Sequence, residues 1–265
     1  YPKYSSPSRK NEYFYFSKNN GLQNQSVLYR QKGLNGEPEL VLDPNKFSAD
    51  GTAGLGAFSL SKDGKYAVIG KTIGGSDWRT FFVMDMTTLK YLPDSLAWVK
   101  VSGASWKGNG FYYSRYPKPE KGTELSTKNE NHQVYYHKIG TSQGQDELVY
   151  EDADNPQRFH GVFTSEDERY VFLNISDRGK GKDGSALWYF DSKSNDKKFK
   201  PIIKEVGEFD YNFLEESNGR FLILTNDGAL NQRIVSIDPQ NPDPANWKTI
   251  IAGKPENISS ATSSG

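Results

Sequence analysis

The chain contains no cysteine among its 265 residues. That removes disulfides, cysteine-ligated zinc, iron–sulfur clusters and thiol nucleophiles in one step. Histidine is nearly as scarce: only His132, His137 and His160 could supply imidazole. Charge of one sign is lacking too, since 33 Lys and Arg are balanced by 33 Asp and Glu. Without a net field there is nothing to draw in a nucleic-acid backbone or an anionic membrane, so neither is expected as a partner. No apolar run approaches the roughly 20 residues of a membrane-crossing helix, and the first residues, Tyr-Pro-Lys-Tyr-Ser-Ser-Pro, have no signal-peptide pattern, so a soluble chain is expected. Helical periodicity of any length is also missing. What is present is aromatic: 14% of residues, with 16 Tyr and 15 Phe, alongside 25 Gly. Disordered chains are aromatic-poor, and aromatics with frequent turn residues indicate β-structure.

Apolar residues come in short runs that open on an aromatic: Tyr13-Phe14-Tyr15-Phe16, Tyr66-Ala67-Val68-Ile69, Phe111-Tyr112-Tyr113, Tyr170-Val171-Phe172-Leu173 and Phe221-Leu222-Ile223-Leu224. Each of the last four follows a hairpin-type turn, for example Ser61-Lys62-Asp63-Gly64-Lys65 and Ser165-Glu166-Asp167-Glu168-Arg169, the latter with Glu168 in place of the glycine. From Tyr13 to Tyr66, Phe111, Tyr170 and Phe221 the steps are 53, 45, 59 and 51 residues, which marks a repeat. A second strand follows in every unit: 27–30, 81–85, 134–137, 187–191 and 234–238. A weaker outer strand is visible in the first (39–43), third (147–150), fourth (201–203) and fifth (247–251), but not in the second. Four antiparallel strands per repeat describe a β-propeller blade. The fold expected is therefore all-β, a partial β-propeller of about five four-stranded antiparallel blades. Its boundaries fall near 1–47, 48–100, 101–156, 157–206 and 207–255, with 256–265 as the start of a sixth. A closed five-bladed ring is the competing arrangement.

Several stretches carry a family resemblance. Gly21-Leu22-Gln23-Asn24-Gln25-Ser26-Val27-Leu28-Tyr29, Leu60-Ser61-Lys62-Asp63-Gly64-Lys65-Tyr66, Gly75-Ser76-Asp77-Trp78, Gly110-Phe111-Tyr112-Tyr113-Ser114-Arg115-Tyr116-Pro117, and Gly122–Thr127 through His132-Gln133-Val134-Tyr135-Tyr136-His137 resemble, in order, successive blades of the prolyl oligopeptidases. The resemblance implies a seven-bladed, open-ended propeller that caps an α/β-hydrolase domain. A Ser-Asp-His triad on that domain would cleave short peptides after proline. By this likeness the chain corresponds to the first five blades and the start of the sixth; the triad lies outside it, and the segment alone is expected to be inactive. No cofactor is implied. The implied partners are the hydrolase domain of the same parent chain and short proline-containing peptides. The alternative is a stand-alone propeller that binds a protein through its rim loops.

The same resemblance implies four site residues. Asp77 corresponds to an aspartate at the propeller–hydrolase boundary that pairs with a substrate-binding Arg, with Trp78 beside it. Val101 and Phe159 correspond to apolar residues lining the outer substrate pocket. Against these stands the ordinary reading of a turn aspartate, a half-buried indole and core packing. Gly140-Thr141-Ser142-Gln143-Gly144 fits the G-x-S-x-G pattern, with Asp152, Asp154 and His160 after it in hydrolase order. However, Ser142 lies in a hairpin loop between two strands, where the strand-to-helix strain of a nucleophile elbow is not expected. The histidines are expected to be solvent-facing or hydrogen-bonded, with His132 and His137 on opposite faces of a strand and unable to share a metal.

Overall fold

A computed structural model of the chain describes residues 1–120, 122, 128–177, 183–258 and 261. Most of the 256–265 segment expected to begin a sixth blade, and 123–127 of the resembling stretches, lie outside the described residues. The described residues are built from strands and their connections. Among the described residues only three short 3₁₀ turns, Pro44–Lys46, Gln143–Gln145 and Pro244–Asn246, interrupt them, and there is no α-helix. Among the described residues the parallel sheet and crossover helices of a hydrolase are therefore not built.

The first sheet contains β1 (Lys3–Tyr4), β2 (Ser8–Lys10), β3 (Tyr13–Asn19), β4 (Val27–Lys32) and β5 (Glu39–Leu42). The second runs through β6 (Gly54–Leu60), β7 (Tyr66–Thr72), β8 (Arg79–Asp85), β9 (Lys90–Val99), β10 (Ser105–Lys107), β11 (Gly110–Arg115), β12 (Gln133–Lys138) and β13 (Glu147–Tyr150). Two four-stranded sheets follow: β14 (Phe159–Thr164), β15 (Tyr170–Ser176), β16 (Ser185–Asp191) and β17 (Lys200–Ile203), then β18 (Tyr211–Ser217), β19 (Arg220–Thr225), β20 (Arg233–Ile237) and β21 (Lys248–Ile251). By compactness the chain divides into two units, Tyr1–Phe111 with Tyr135–Glu147, and Tyr112–Val134 with Leu148–Gly265.

In the first unit, period-2 alternation assigns each strand its faces. Tyr15 and Leu28 turn to a core shared with Ala67, Ile69 and Met84. Phe16 lies opposite Tyr29 in the register and stacks on it at 5.9 Å on the other face. That face carries an apolar groove of about 520 Å³ lined by Tyr4, Phe14, Phe16, Tyr29, Leu34 and Pro38. In the second unit the core is aromatic: Phe172 sits 4.1 Å from Phe213, and Phe221 lies edge-on to Tyr170 at 4.9 Å and Tyr189 at 5.1 Å. Offset and edge-on pairs of this kind contribute beyond their buried area.

The two Ser-x-Asp turns are built alike. Ser61 Oγ donates to Asp63 Oδ1 (2.7 Å) and accepts from Tyr66 N–H (3.0 Å), while Asp63 Oδ1 accepts from Lys65 N–H. Ser165, Asp167, Tyr170 and Arg169 repeat these bonds at 2.6, 2.9 and 3.0 Å. Both turns need one left-handed residue, Gly64 at φ 72° and Glu168 at φ 59°, so Glu168 takes the strained conformation that glycine takes freely. A Cβ on Gly64 would also meet Asn11 Nδ2 at 2.9 Å, and that amide donates to Asp63 O. Gly64→Ala is expected to lower folding stability by about 1–2 kcal/mol, the cost of forcing a side chain into the left-handed region. Urea unfolding reads this directly, and an unchanged midpoint would refute it.

One strand escapes a reading from sequence. The outer strand of the second repeat is β9, which contains Pro93 and a buried charge, Asp94. Pro93 falls where the β8–β9 register shifts, between the Met84–Tyr91 and Phe82–Ser95 pairs, where a missing N–H is tolerated.

Candidate functional site

The loop between β7 and β8 is Ile73-Gly74-Gly75-Ser76-Asp77-Trp78. Gly74 (φ 62°) and Gly75 (φ 70°) take two successive left-handed conformations, a turn that side chains resist. Ser76 N–H closes on Ile73 O at 3.1 Å, and Ser76 Oγ accepts from Trp78 N–H at 3.1 Å. The result holds Asp77 out of the fold, its side chain 83% exposed. Trp78 is half-buried and meets Trp98 edge to face, 5.7 Å between centroids at 85°.

Between β9 and β10 runs a segment carrying Lys100 and Val101. Lys100 Nζ lies 3.8 Å from Asp77 Oδ2 and 5.1 Å from the centroid of the Trp78 ring. The lysine is the more buried partner, its side chain 18% exposed. Trp98 (φ 63°) and Val101 (φ 51°) are both left-handed without being glycine, and a β-branched residue in that region is a genuine outlier. Val101 is exposed. The segment is anchored from both sides: the Gln143 side-chain amide exchanges two 3.0 Å bonds with Ala97 N–H and O, and Arg79 Nη1 donates to Ser102 O at 2.9 Å.

Phe159 belongs to the second unit, as the first residue of β14. Its ring stands edge-on to His132 (6.0 Å, 89°). His132 is fixed in turn: its Nδ1 accepts His160 N–H at 3.0 Å and its carbonyl accepts from His160 Nδ1 at 2.5 Å. That assigns the His160 proton to Nδ1 and leaves Nε2 buried without a hydrogen-bond partner. Burial pulls the His160 pKa below the usual histidine value, which keeps the ring neutral.

The structure thus brings Asp77 and Trp78 together around Lys100, with Val101 next in the chain, and places Phe159 on a histidine pair. Lys100 and Trp98 were not singled out from the sequence. The one signal was a cation between two valines, Val99-Lys100-Val101, which reads equally well as an exposed strand residue.

All three histidines are buried, so a solvent-facing histidine is corrected to a hydrogen-bonded one in each case. In the first unit, His137 Nε2 lies 2.9 Å from Asp94 Oδ1 and Nδ1 lies 2.7 Å from Asp146 Oδ1, with no side-chain exposure for any of the three. Gly140 N–H donates to the same Asp94 oxygen at 2.6 Å. Burial pulls the His137 pKa down, but hydrogen bonds and charge from Asp146 and Asp94 outweigh it and raise the value. Ser142, the third residue of the G-x-S-x-G pattern, precedes the 3₁₀ turn at φ −78° and ψ 150°, ordinary extended backbone. Its Oγ bonds to Gln145 Oε1 at 3.0 Å, and no elbow is formed.

A family model for the prolyl oligopeptidase N-terminal β-propeller domain matches residues 1–264. The prolyl endopeptidase of Elizabethkingia meningoseptica is 40% identical over 266 residues, covering 100% of this chain and 37% of that protein. The dual function macrocyclase-peptidase POPB of Galerina marginata is 30% identical, covering 92% of this chain and again 37% of the relative. Among solved structures, prolyl oligopeptidase B from Galerina marginata bound to a macrocyclization substrate superposes with a TM-score of 0.86 at 28% identity, covering 96% of this chain and 38% of that one. The chain therefore spans little more than a third of the length of the relatives it matches.

Proposed function

Because the chain belongs to the prolyl oligopeptidase N-terminal β-propeller domain family, we propose that it is the substrate-gating part of a serine peptidase that hydrolyses short peptides on the C-terminal side of proline. The observation that carries the proposal is the end-to-end family match, joined to an exposed Asp77 on a rigid turn. In this reading, acylation proceeds on a Ser-Asp-His triad of an α/β-hydrolase domain in the same parent chain, and these 265 residues perform exclusion and positioning. Asp77 pairs with a substrate-binding Arg of that domain. A bidentate carboxylate–guanidinium fork fixes both distance and angle, so the Arg is held where a peptide carbonyl can meet it. Trp78 and Val101 in the first unit, and Phe159 in the second, each offer the peptide an apolar surface.

Blades near 1–47, 48–100, 101–156, 157–206 and 207–255, with a sixth beginning at 256, are part of the same proposal. The half-buried aromatic face of the first sheet supports it, because a face of this kind is what a further blade would cover.

Two measurements on the full-length protein test the proposal. An active-site serine phosphonate is expected to label one serine outside residues 1–265; mapping the label to Ser142 would overturn the assignment of the chemistry. A short proline-containing peptide is expected to be cut while a large folded protein is not. Equal rates on both would remove the gating role.

A further inference from the structure

The geometry points to Lys100 as a positioning residue for Asp77 and Trp78: its cation aims the exposed carboxylate outward for the hydrolase-borne Arg. This inference rests on the Asp77–Arg pairing proposed above. It begins with an asymmetry. The Asp77 side chain is 83% exposed at the tip of its turn, whereas the Lys100 side chain is 18% exposed. An exposed acid therefore faces a largely buried base, unlike the usual surface pair between two exposed chains.

The fixing of Lys100 is visible in the backbone. Left-handed conformations at Trp98 and Val101 bracket Val99-Lys100 and redirect successive side chains, Val99 into the core, Lys100 over the Trp78 ring and Val101 to solvent. Such conformations persist only where surrounding structure imposes them, and here Gln143 grips Ala97 on one side while Arg79 grips Ser102 on the other. Strain of this kind at an exposed loop, with no packing gain at Val101, fits a segment shaped for a task rather than for stability.

The distance defines the task. At 3.8 Å, Lys100 Nζ attracts Asp77 Oδ2 without making a hydrogen bond to it. The acceptor positions of the carboxylate therefore remain open to a planar, two-pronged donor, which an ammonium cannot imitate. At the same time the ammonium sits over the indole of Trp78 and ties that ring to the same point. One cation thus orients both the acid and the aromatic wall beside it.

The test uses the full-length enzyme with a short chromogenic proline peptide. Lys100→Met keeps the aliphatic stem and removes the charge. It is expected to raise KM roughly five- to tenfold with kcat within about twofold, because it acts on orientation of bound peptide and not on the acylating residues. Lys100→Arg is expected to restore most of the loss. In an Asp77→Asn background, Lys100→Met should cost much less than in the wild type, because the link to Asp77 is already gone and only the Trp78 contact remains to lose. Circular dichroism confirms that each variant is folded. A damaged Asp77→Asn enzyme with an undamaged Lys100→Met enzyme would overturn the role of Lys100 alone, as would equal losses in both backgrounds. Unchanged kinetics in Asp77→Asn would remove the pairing on which the inference rests.

Discussion

His137→Ala is expected to lower the folding stability of the protein by about 3–5 kcal/mol, the range for removing one partner of a buried ion pair. The reason lies in what remains. Asp94 and Asp146 have no side-chain exposure, and His137 is the group between them. Without the ring, two buried carboxylates lose the donor that lay between them and face each other across the space it filled. Asp94 comes from β9 and His137 from β12, so the outer strand of one repeat loses its tie to the next hairpin. His137→Asn is the milder companion, because an amide restores one donor.

The pH dependence follows from the sign of the shift. The folded pKa of His137 is raised above its unfolded value of about 6.5, so the folded state binds the proton more tightly. The stabilisation is fully present below about pH 6.5 and is lost as pH rises through the folded value. Urea midpoints measured across neutral to alkaline pH should fall for the wild type and be flatter for His137→Ala. A His137→Ala protein as stable as the wild type would mean that the three side chains do not form an ion cluster.

The second large effect is expected in catalysis. In the full-length enzyme, Asp77→Asn should reduce kcat/KM for a proline peptide by roughly one to two powers of ten. That corresponds to about 1.4–2.7 kcal/mol, toward the low end for truncating a charge pair at an interface. The discount reflects exposure: the carboxylate is largely solvated in this chain, and only docking of the hydrolase domain would desolvate it. Little folding stability should be lost, since Asn keeps the volume and Ser76 makes the hydrogen bonds that shape the turn. Kinetics unchanged in a protein that is folded by circular dichroism would return Asp77 to an ordinary turn residue.

What could be read from the sequence was local. The aromatic-led strands and the Ser-x-Asp turns follow from period-2 patterning and from side chains that bond their own backbone, so no distant residue is needed to recognise them. Even Glu168 was visible as a departure, and its left-handed φ shows that the turn geometry overrides the residue. The strand β9 was not legible, because the features that argue against a strand, Pro93 and Asp94, are accommodated by a register shift and by His137, forty-three residues away. Likewise the pattern could not say that the histidines are buried, since a lone imidazole looks the same whether carboxylates or water await it. Asp77 and Trp78 were reachable through resemblance alone. Lys100 was reachable from neither source, because its meaning depends on two loops meeting.

The order of strands in the last two sheets carries a consequence for how the chain is made. In both, each strand pairs with the one just before it, β14 through β17 and β18 through β21, and tight turns such as Asn218-Gly219 (φ 52° and 76°) join neighbours. Closing loops between consecutive strands costs less chain entropy than closing distant ones, so each sheet keeps its pairings local although it contains no helix. A ribosome that adds about 5–20 residues per second releases a complete set of four strands every few seconds, and a sheet can pair within itself before its successor is synthesised. Assembly in the order of translation limits the time that any aromatic edge waits unpaired, and it gives mispairing between non-neighbouring repeats little opportunity to begin.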